Sequence, residues 1–344
     1  MVEGGSQGIV APGLSASPPL AAPDRPVVAL LGVPIEIGAS RRGAARGPAA
    51  LRAAGLAPAL AALGLTVRDH GDLSRDDLTS LDRTWLDRPG PPMARHYREI
   101  QAWVRALSAR AYALADPGVV PVFLGGDHSL SMGSINGIAR RCHDEGRPLF
   151  VLWLDAHADY NTPETTPSGN MHGMSAAFLC GEPGLDDLLA DEPRVPISPD
   201  HLALFGTRSI DPLERKLLAA RAIERADMPQ IAMSGAGALI RALVARVTAA
   251  GGLLHVSFDV DFLDPAFAPG AGTTVAGGAT VQDAEEVMIT LAESGLVRSV
   301  DIVELNPLLD RGQRTARLAV ELTARLLGAP AASGMAAITS LPAL

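Results

Sequence analysis

The sequence predicts a three-layer α/β/α sandwich built on a doubly wound, mainly parallel sheet of about eight strands. Short runs rich in β-branched and apolar residues alternate with longer Ala-, Leu- and Arg-rich segments from Pro26 almost to the C-terminus. Several short runs are apolar on successive residues, which is typical of strands covered on both faces. The regular order of strand and helix implies right-handed crossovers between parallel strands. A (β/α)₈ barrel shows the same alternation and is the alternative.

Each strand prediction rests on a short apolar run bounded by Gly, Pro or polar residues. In chain order the predicted strands are VVALLG (27–32), LTVRDHG (65–71), VVPVFLGG (119–126), LFVLWLDA (149–156), LALFGT (202–207), QIAMS (230–234), LLHVSFDV (253–260) and VRSVDIVEL (297–305).

The segments between these runs are predicted to be helices, because they are longer and richer in helix-forming residues. Two stretches, 71–93 and 156–175, fit neither pattern, and long irregular connections in such folds are often functional. The predicted helices lie at about 45–62, 94–116, 129–145, 212–227, 236–250, 280–294 and 312–328.

The first 25 residues differ in composition from the remainder of the chain. They are rich in Gly, Pro, Ser and Ala and show no spacing that would place one apolar face against a core, so residues 1–25 are predicted to be a disordered tail. They also contain no basic segment before an apolar stretch, unlike a secretory signal. With no linker visible after them, residues 26–344 are predicted to be a single domain.

Composition excludes several classes of function. The 344 residues are 47% hydrophobic but contain no apolar run near the ~18 residues of a membrane-spanning helix. The 38 acidic and 29 basic residues give a net charge of −9 without a Lys/Arg cluster, which argues against a nucleic-acid partner. Only Cys142 and Cys180 are present, so we expect no disulfide framework and a cytoplasmic protein.

Acidic and imidazole side chains accumulate where four predicted strands end, the edge at which doubly wound sheets bind ligands. The four runs are GGDH (125–128), DAHAD (155–159), DVD (259–261) and DIVE (301–304). A single Asp at a strand end usually caps a helix, and Asp127 is such a candidate. In extended backbone, however, Asp155, His157 and Asp159 would point to one side, as would Asp259 and Asp261.

Such a cluster is too repulsive to bury unless cations compensate its charge. Oxygen-dominated ligation without thiolate favours Mn²⁺ or Mg²⁺ over structural Zn²⁺, and the imidazoles favour Mn²⁺. Six ligands exceed what one ion normally needs, so the sequence predicts a binuclear Mn²⁺ site with two ions per subunit. The predicted ligands are His128, Asp155, His157, Asp159, Asp259 and Asp261.

At these residues the sequence resembles the ureohydrolase family, which contains arginases and agmatinases, and the pattern is closer to that of arginases. The resemblance covers about 27–327 and rests on five motifs in a fixed order. They are FLGGDHSL (123–130), DAHADYNTPETTPSGNMHGM (155–174), GTRSIDPLE (206–214), SFDVDFLDPAFAPGAGTTVAGG (257–278) and DIVELNP (301–307).

The resemblance implies a role for each site residue. One manganese would be held by His128, Asp155, Asp159 and Asp259, and the other by Asp155, His157, Asp259 and Asp261. His172 would shuttle protons and Glu304 would anchor the guanidinium group. Asn161 and Ser168 would contact the substrate carboxylate, Asp211 its ammonium, and Thr273 would also bind substrate. Tyr160, Glu164 and Pro167 depart from the pattern of well-known arginases.

The activity implied is hydrolysis of the guanidino group of L-arginine to L-ornithine and urea, by a hydroxide that bridges the two metals. Three alternatives are open: a ureohydrolase acting on agmatine or guanidinobutyrate, a metal-binding homologue without catalysis, and a mononuclear zinc deacetylase of similar architecture. The resemblance also implies a homo-oligomer, a trimer or a hexamer.

Overall fold

The computed structural model describes Met1 and residues 26–79, 90–189 and 192–328. Its strands follow the apolar runs of the sequence, with one exception given below. They are β1 (Val27–Val33), β2 (Thr66–Asp72), β3 (Val119–Gly125), β4 (Leu149–Leu154), β5 (Leu202–Thr207), β6 (Glu224–Asp227), β7 (Leu253–Asp259) and β8 (Val297–Val303).

These strands form one eight-stranded sheet in the order β2-β1-β3-β8-β7-β4-β5-β6, and every neighbouring pair is parallel. In the described part of the chain, β2 and β6 each pair with a strand on one side only, so the sheet is open. The predicted sandwich is therefore confirmed, and the barrel alternative is wrong.

Helices cover both faces of the sheet. They are α1 (Gly47–Ala53), α2 (Leu56–Ala62), α3 (Arg75–Thr79), α4 (Tyr97–Leu114), α5 (Ser131–Asp144), α6 (Ser175–Leu179), α7 (Pro212–Ala220), α8 (Met228–Ser234), α9 (Ala236–Ala249), α10 (Val281–Ser294) and α11 (Arg314–Gly328).

Two apolar clusters, one on each face, hold these layers together. Successive strand residues belong to different clusters: Leu30 packs with the side of the sheet covered by α9, α10 and α11, whereas Leu31 packs with the side covered by α4, α5 and α6. Burial on both faces explains why a strand such as β4 is apolar at successive positions rather than at alternate ones.

The prediction failed between residues 212 and 234. The predicted helix 212–227 ends at Ala220, and its last residues form the edge strand β6; the predicted strand 230–234 lies in helix α8. Asp227 starts that helix, because its carboxylate accepts the backbone N–H of Gln230 at 3.0 Å while the Gln230 side chain accepts the backbone N–H of Asp227 at 3.0 Å. The predicted helix 45–62 is also interrupted, at Gly55, whose φ is 92°.

Other expectations lie partly outside the described residues. Apart from Met1, the predicted tail 1–25 falls there, as do 80–89 of the irregular stretch 71–93 and residues 329–344. In the part of the chain that the structure describes, no helix by itself has the length and apolarity to cross a membrane. The α8 and α9 pair, bent by 96°, meets that test by length and composition only.

The strand order brings the four polar runs together. β3, β8, β7 and β4 are consecutive neighbours at the centre of the sheet, and each carries one run at its carboxyl end. Gly126, which follows β3, connects the neighbouring strands at this edge. Its N–H donates to the carbonyl of Val33 at the end of β1 at 3.1 Å, and its carbonyl accepts the N–H of Glu304 after β8 at 2.8 Å.

We predict that Gly126→Ala is strongly destabilising. A Cβ atom at this position would lie 1.8 Å from the backbone oxygen of Ile35, so the backbone itself must move. The free energy of unfolding should fall by more than about 2 kcal/mol, measured by urea denaturation. The control is Gly251→Ala, where φ is 62° and the space is open, and where only the left-handed backbone costs about 1 kcal/mol. Equal losses in the two variants would contradict the prediction.

Candidate active site

His128 lies at the centre of a ring of carboxylates. It is the first residue of a short 3₁₀ turn between β3 and α5, and its side chain is fully buried. Its Nδ1 atom is 3.1 Å from an oxygen of Asp155, 3.1 Å from one of Asp159 and 3.2 Å from one of Asp259. These three acids come from two different strand ends, so the fold, rather than local sequence, assembles the ring.

His157 lies beside a second pair of carboxylates. Its Nδ1 atom is 3.3 Å from Oδ1 of Asp155 and 3.3 Å from Oδ2 of Asp261. Asp155 therefore faces both histidines, Oδ2 toward His128 and Oδ1 toward His157. The structure thus brings together all six residues that the sequence predicted as metal ligands.

The backbone that presents these residues is not the extended one expected from the sequence. β4 ends at Leu154, so the DAHAD run lies in a turn, and Asp159 has a left-handed φ of 48°. Asp261 lies in a short helical turn, where its N–H donates to Oδ1 of Asp259 at 2.8 Å. The convergence was predicted, but turns produce it rather than alternation along a strand.

Buried neighbours fix the orientation of the ring. The Trp153 indole stacks on the His128 imidazole, with ring centroids 4.1 Å apart, and its N–H donates to Asp155 at 2.9 Å. The Ser257 hydroxyl lies 2.8 Å from Nε2 of His128, on the side away from the carboxylates. These contacts direct Nδ1 of His128 toward the acids, and hydrogen bonds of this kind position metal-binding histidines.

The charges of the ring oppose one another. Burial, together with the charges of Asp261 and Asp155, raises the pKa of Asp259 well above its ordinary value. Burial also raises the pKa of Asp159 and of Asp261, and Asp155 adds to both shifts. Burial would lower the pKa of His157, but the charge of Asp261 and a hydrogen bond to Asp155 raise it to about 12. Positive charge is therefore favoured inside the ring.

The donor set fits divalent cations. Nδ1 of His128 is buried and has no hydrogen-bond partner among the described residues, although three carboxylate oxygens surround it. The potential ligand atoms form two groups, and within each group all atoms lie within 4.8 Å of one another. Asp155 belongs to both groups, with His128 and Asp259 in one and with His157 and Asp261 in the other. Such oxygen-rich sets with imidazole suit hard or borderline divalent ions.

Asp127 is not part of the ring. One of its oxygens accepts the backbone N–H of Ser129 at 3.0 Å, and the other accepts the N–H of Gly38 at 2.7 Å. The expectation that it caps the turn after β3 is confirmed, and it also ties the loop after β1 to the site.

His172 and Glu304 form a pair next to the ring. Nδ1 of His172 is 2.9 Å from Oε1 of Glu304, and the same oxygen accepts the backbone N–H of His128 at 2.9 Å. Burial lowers the pKa of His172, but the charge of Glu304 and this hydrogen bond raise it to about 9. The same interactions hold the pKa of Glu304 below its ordinary value despite burial.

A cleft opens above the ring, and it includes all four residues predicted to bind substrate. Asn161 donates to Asp211 at 3.0 Å, and Thr273 donates to Asp261 at 3.0 Å. The Ser168 hydroxyl accepts the N–H of Asn170 at 3.1 Å, so this loop residue also stabilises a turn. The lining consists of His157, Asp159, Asn161, Thr166, Ser168, Asn170, His172, Gly173, Ser209, Asp211, Glu214, Asp259 and Thr273.

Glu214 is a cleft residue that the sequence reasoning missed. Its carboxylate accepts the N–H of Tyr160 at 2.8 Å and the N–H of Asp211 at 3.0 Å, so it joins the loop after β4 to the start of α7. Burial raises its pKa to about 7, although these two N–H groups oppose the shift. The spacing of Asp211 and Glu214, typical of a capping box, was the available signal.

Comparison with known proteins identifies the family. A family model described as the arginase family matches residues 27–328. An arginase of Brucella melitensis is 45% identical over 299 residues, which cover 87% of this chain and 95% of that protein. The chain belongs to the arginase family. The predicted resemblance to ureohydrolases is thereby confirmed, and the chain is a hydrolase of the arginase type.

Solved arginases have the same architecture. The arginase of Bacillus caldovelox superposes with a TM-score of 0.79 at 34% identity, covering 89% of this chain and 100% of that one. An arginase of Entamoeba histolytica, solved in complex with L-ornithine, gives a TM-score of 0.76 at 28% identity, covering 88% and 98%. Arginase family members use a binuclear metal centre, and the His/Asp ring fits one.

We predict that divalent cations stabilise the wild-type protein and that Asp259→Asn abolishes most of this effect. At a Mn²⁺ concentration of 100 times Kd, the free energy of unfolding should rise by about 2.7 kcal/mol. Without metal, Asp259→Asn should melt no lower than wild type, because it removes a buried charge that its neighbours repel and keeps the oxygen that caps Asp261. Calorimetric Tm values with and without chelator measure both effects.

The control is Asp264→Asn, since Asp264 binds backbone N–H groups outside the ring. It should retain the full Mn²⁺ response. A full response in Asp259→Asn as well would contradict the placement of a cation at the ring.

Proposed function

We propose that the protein is a manganese-dependent arginase, which hydrolyses L-arginine to L-ornithine and urea. The observation that carries this proposal is a ring of six potential ligands beside the His172–Glu304 pair, in a cleft that also contains Asn161 and Asp211. Relatives of this chain across 87% of its length carry the name arginase.

The ring residues would hold two Mn²⁺ ions. His128, Asp155, Asp159 and Asp259 would bind one ion, while Asp155, His157, Asp259 and Asp261 would bind the other. Bound there, two divalent ions would lower the pKa of water and so supply hydroxide near neutral pH, the nucleophile that the guanidinium carbon requires. The preference for Mn²⁺ follows from an oxygen-dominated set with two imidazoles and no thiolate.

Glu304 would orient the guanidinium group. Its carboxylate is buried and ionised, because its pKa is held low, and an ionised carboxylate forms charge-assisted hydrogen bonds with guanidinium N–H groups. Its position next to the N–H of His128 fixes it relative to the metal ligands. The substrate carbon would therefore be held at one point in the cleft.

His172 would supply the proton that the departing nitrogen requires. With a pKa raised to about 9, its imidazole is protonated at neutral pH. It lines the cleft and is held by Glu304, so it can donate to the amine of the leaving ornithine and thereby complete the release of urea.

The other end of the cleft would bind the amino-acid head. Asn161 and Ser168 can donate to the substrate carboxylate, and Asp211 can accept from its ammonium group. Thr273 would also bind the substrate. Because its hydroxyl donates to Asp261, this contact would lie close to the metal ligands. Agmatine has no carboxylate, so Asn161 and Ser168 would have no group of this kind to bind.

We further propose that the enzyme works in the cytoplasm as a homo-trimer or homo-hexamer. The resemblance to the family supports the assembly. Cys142 and Cys180 are both free, as a reducing compartment would keep them.

We predict that urea release from L-arginine after Mn²⁺ loading exceeds that from agmatine or guanidinobutyrate at equal concentration, and that chelator abolishes it. His172→Asn should lower kcat by at least about 100-fold while metal content is unchanged, because the general acid is lost. Asp259→Ala should lose both metal and activity.

The matched control is His143→Asn, an exposed histidine at the end of α5, which should behave as wild type. Faster urea release from agmatine would overturn the substrate, and full activity in Asp259→Ala would overturn the site. Metal analysis that finds one Zn²⁺ and no Mn²⁺ per chain would overturn the binuclear manganese centre.

We predict that Ser168→Ala raises KM for L-arginine with little change in kcat. Loss of one hydrogen bond to a charged group costs about 1.5–3 kcal/mol, which corresponds to a roughly ten- to hundredfold weaker interaction. L-argininamide has no carboxylate charge, so its KM should change much less in this variant. Steady-state kinetics give KM and kcat for both substrates in wild type and variant. An equal change in KM for L-arginine and L-argininamide would contradict carboxylate recognition by Ser168.

A further inference from the structure

A second pocket lies on the same edge of the sheet, but its lining shares no residue with the lining of the cleft. It is located where the two outer strands β5 and β6 end, at Thr207 and Asp227. Its lining consists of Thr207, Arg208, Ile210, Arg215, Arg225, Asp227 and Pro229. Neither the metal ring nor the proposed mechanism gives a function to these side chains.

Two arginines of this pocket have no partner within residues 26–79, 90–189 and 192–328. Arg215 on α7 and Arg225 on β6 form no side-chain hydrogen bond or ion pair there, whereas their neighbours do. Glu224 pairs with Arg246, and Asp227 accepts the N–H of Gln230 at the start of α8. The two acidic residues of β6 therefore bind other groups, and the guanidinium groups of Arg215 and Arg225 can bind a ligand.

Arg208 adds a third positive charge. Its guanidinium donates to backbone carbonyls, among them those of Asp261 at 2.6 Å and Val275 at 2.9 Å, and in the described residues it forms no ion pair with a carboxylate. The lining thus contains three cationic side chains and a single carboxylate. The protein as a whole has a net charge of −9, so this pocket is a local exception to the overall charge.

The floor of the pocket contains an unsatisfied polar group. Thr207 is 1% exposed, and its hydroxyl has no hydrogen-bond partner among the described residues. Buried polar groups in folded proteins are nearly always hydrogen-bonded, so an exception calls for an explanation. Next to it, Ile210 and Pro229 provide apolar wall.

We propose that this pocket binds a small organic anion through its carboxylate or phosphate group. Planar guanidinium forks match both groups and bind them with paired hydrogen bonds, which explains why Arg215 and Arg225 face the pocket without intramolecular partners. The charge of Arg208 favours the anion, Thr207 offers a donor at the floor, and Ile210 and Pro229 accommodate the carbon skeleton. This inference is independent of the proposed reaction.

The test compares anions on the metal-loaded protein after removal of excess metal. Inorganic phosphate and acetate are titrated separately against chloride at matched ionic strength, and apparent Kd values come from the rise in Tm. The variants are the double substitution Arg215→Gln with Arg225→Gln and, as control, Arg317→Gln, an exposed arginine on α11. Because phosphate can also reach metal in the cleft, the deciding quantity is the difference between wild type and the double variant.

We expect the double variant to weaken the binding of the preferred anion at least tenfold while urea release is retained, and the control to match wild type within twofold. Stronger binding of phosphate identifies a phosphate ester as the ligand class, and stronger binding of acetate identifies a carboxylate. Equal titrations for wild type and double variant would refute the pocket. So would a change in sedimentation mass without a change in anion affinity, which would assign the two arginines to a subunit contact.

Discussion

The repulsion among four buried aspartates is the constraint on which the remainder of this structure depends. Asp155, Asp159, Asp259 and Asp261 lie within a few ångströms of two histidines, and burial together with neighbouring charge raises the pKa of three of the four. A protein tolerates such a cluster only when the surrounding scaffold is rigid and a cation can enter. The central strands, buried on both faces, supply that rigidity.

The sequence predicted the fold wherever burial decided the local structure. Strands β3 and β4 are covered on both sides, so their continuous apolar runs were correctly interpreted. The sequence-based prediction failed at the edge of the sheet. Strand β6 (Glu224–Asp227) is polar because it is only partly buried, so it was predicted as helix. The apolar residues of α8 were predicted as a strand. Residue periodicity does not distinguish a short buried helix from a strand, whereas the Asp227–Gln230 cap does.

The convergence of the six ring residues could be predicted because carboxylates that lie close together repel one another. Such a cluster can be buried only if cations compensate its charge. Metal binding by these six residues is what we propose. What the sequence could not show is the set of neighbours that hold the ring. Ser257 lies 129 positions from His128, and Trp153 belongs to an apolar run, so neither carries a local signal. His172 drew attention only through the family resemblance, since a lone histidine in a glycine-rich loop has no distinguishing pattern.

Two of the site residues adopt a backbone conformation that glycine would adopt more readily. Asp159 has a φ of 48° and Glu304 a φ of 62°, and each is restrained by backbone hydrogen bonds, to α6 and to Gly126 respectively. Conformational strain of this kind concentrates at functional positions. Selection of this enzyme for heat resistance alone would therefore favour glycine at both positions, and it would remove the carboxylates that we propose bind metal and substrate.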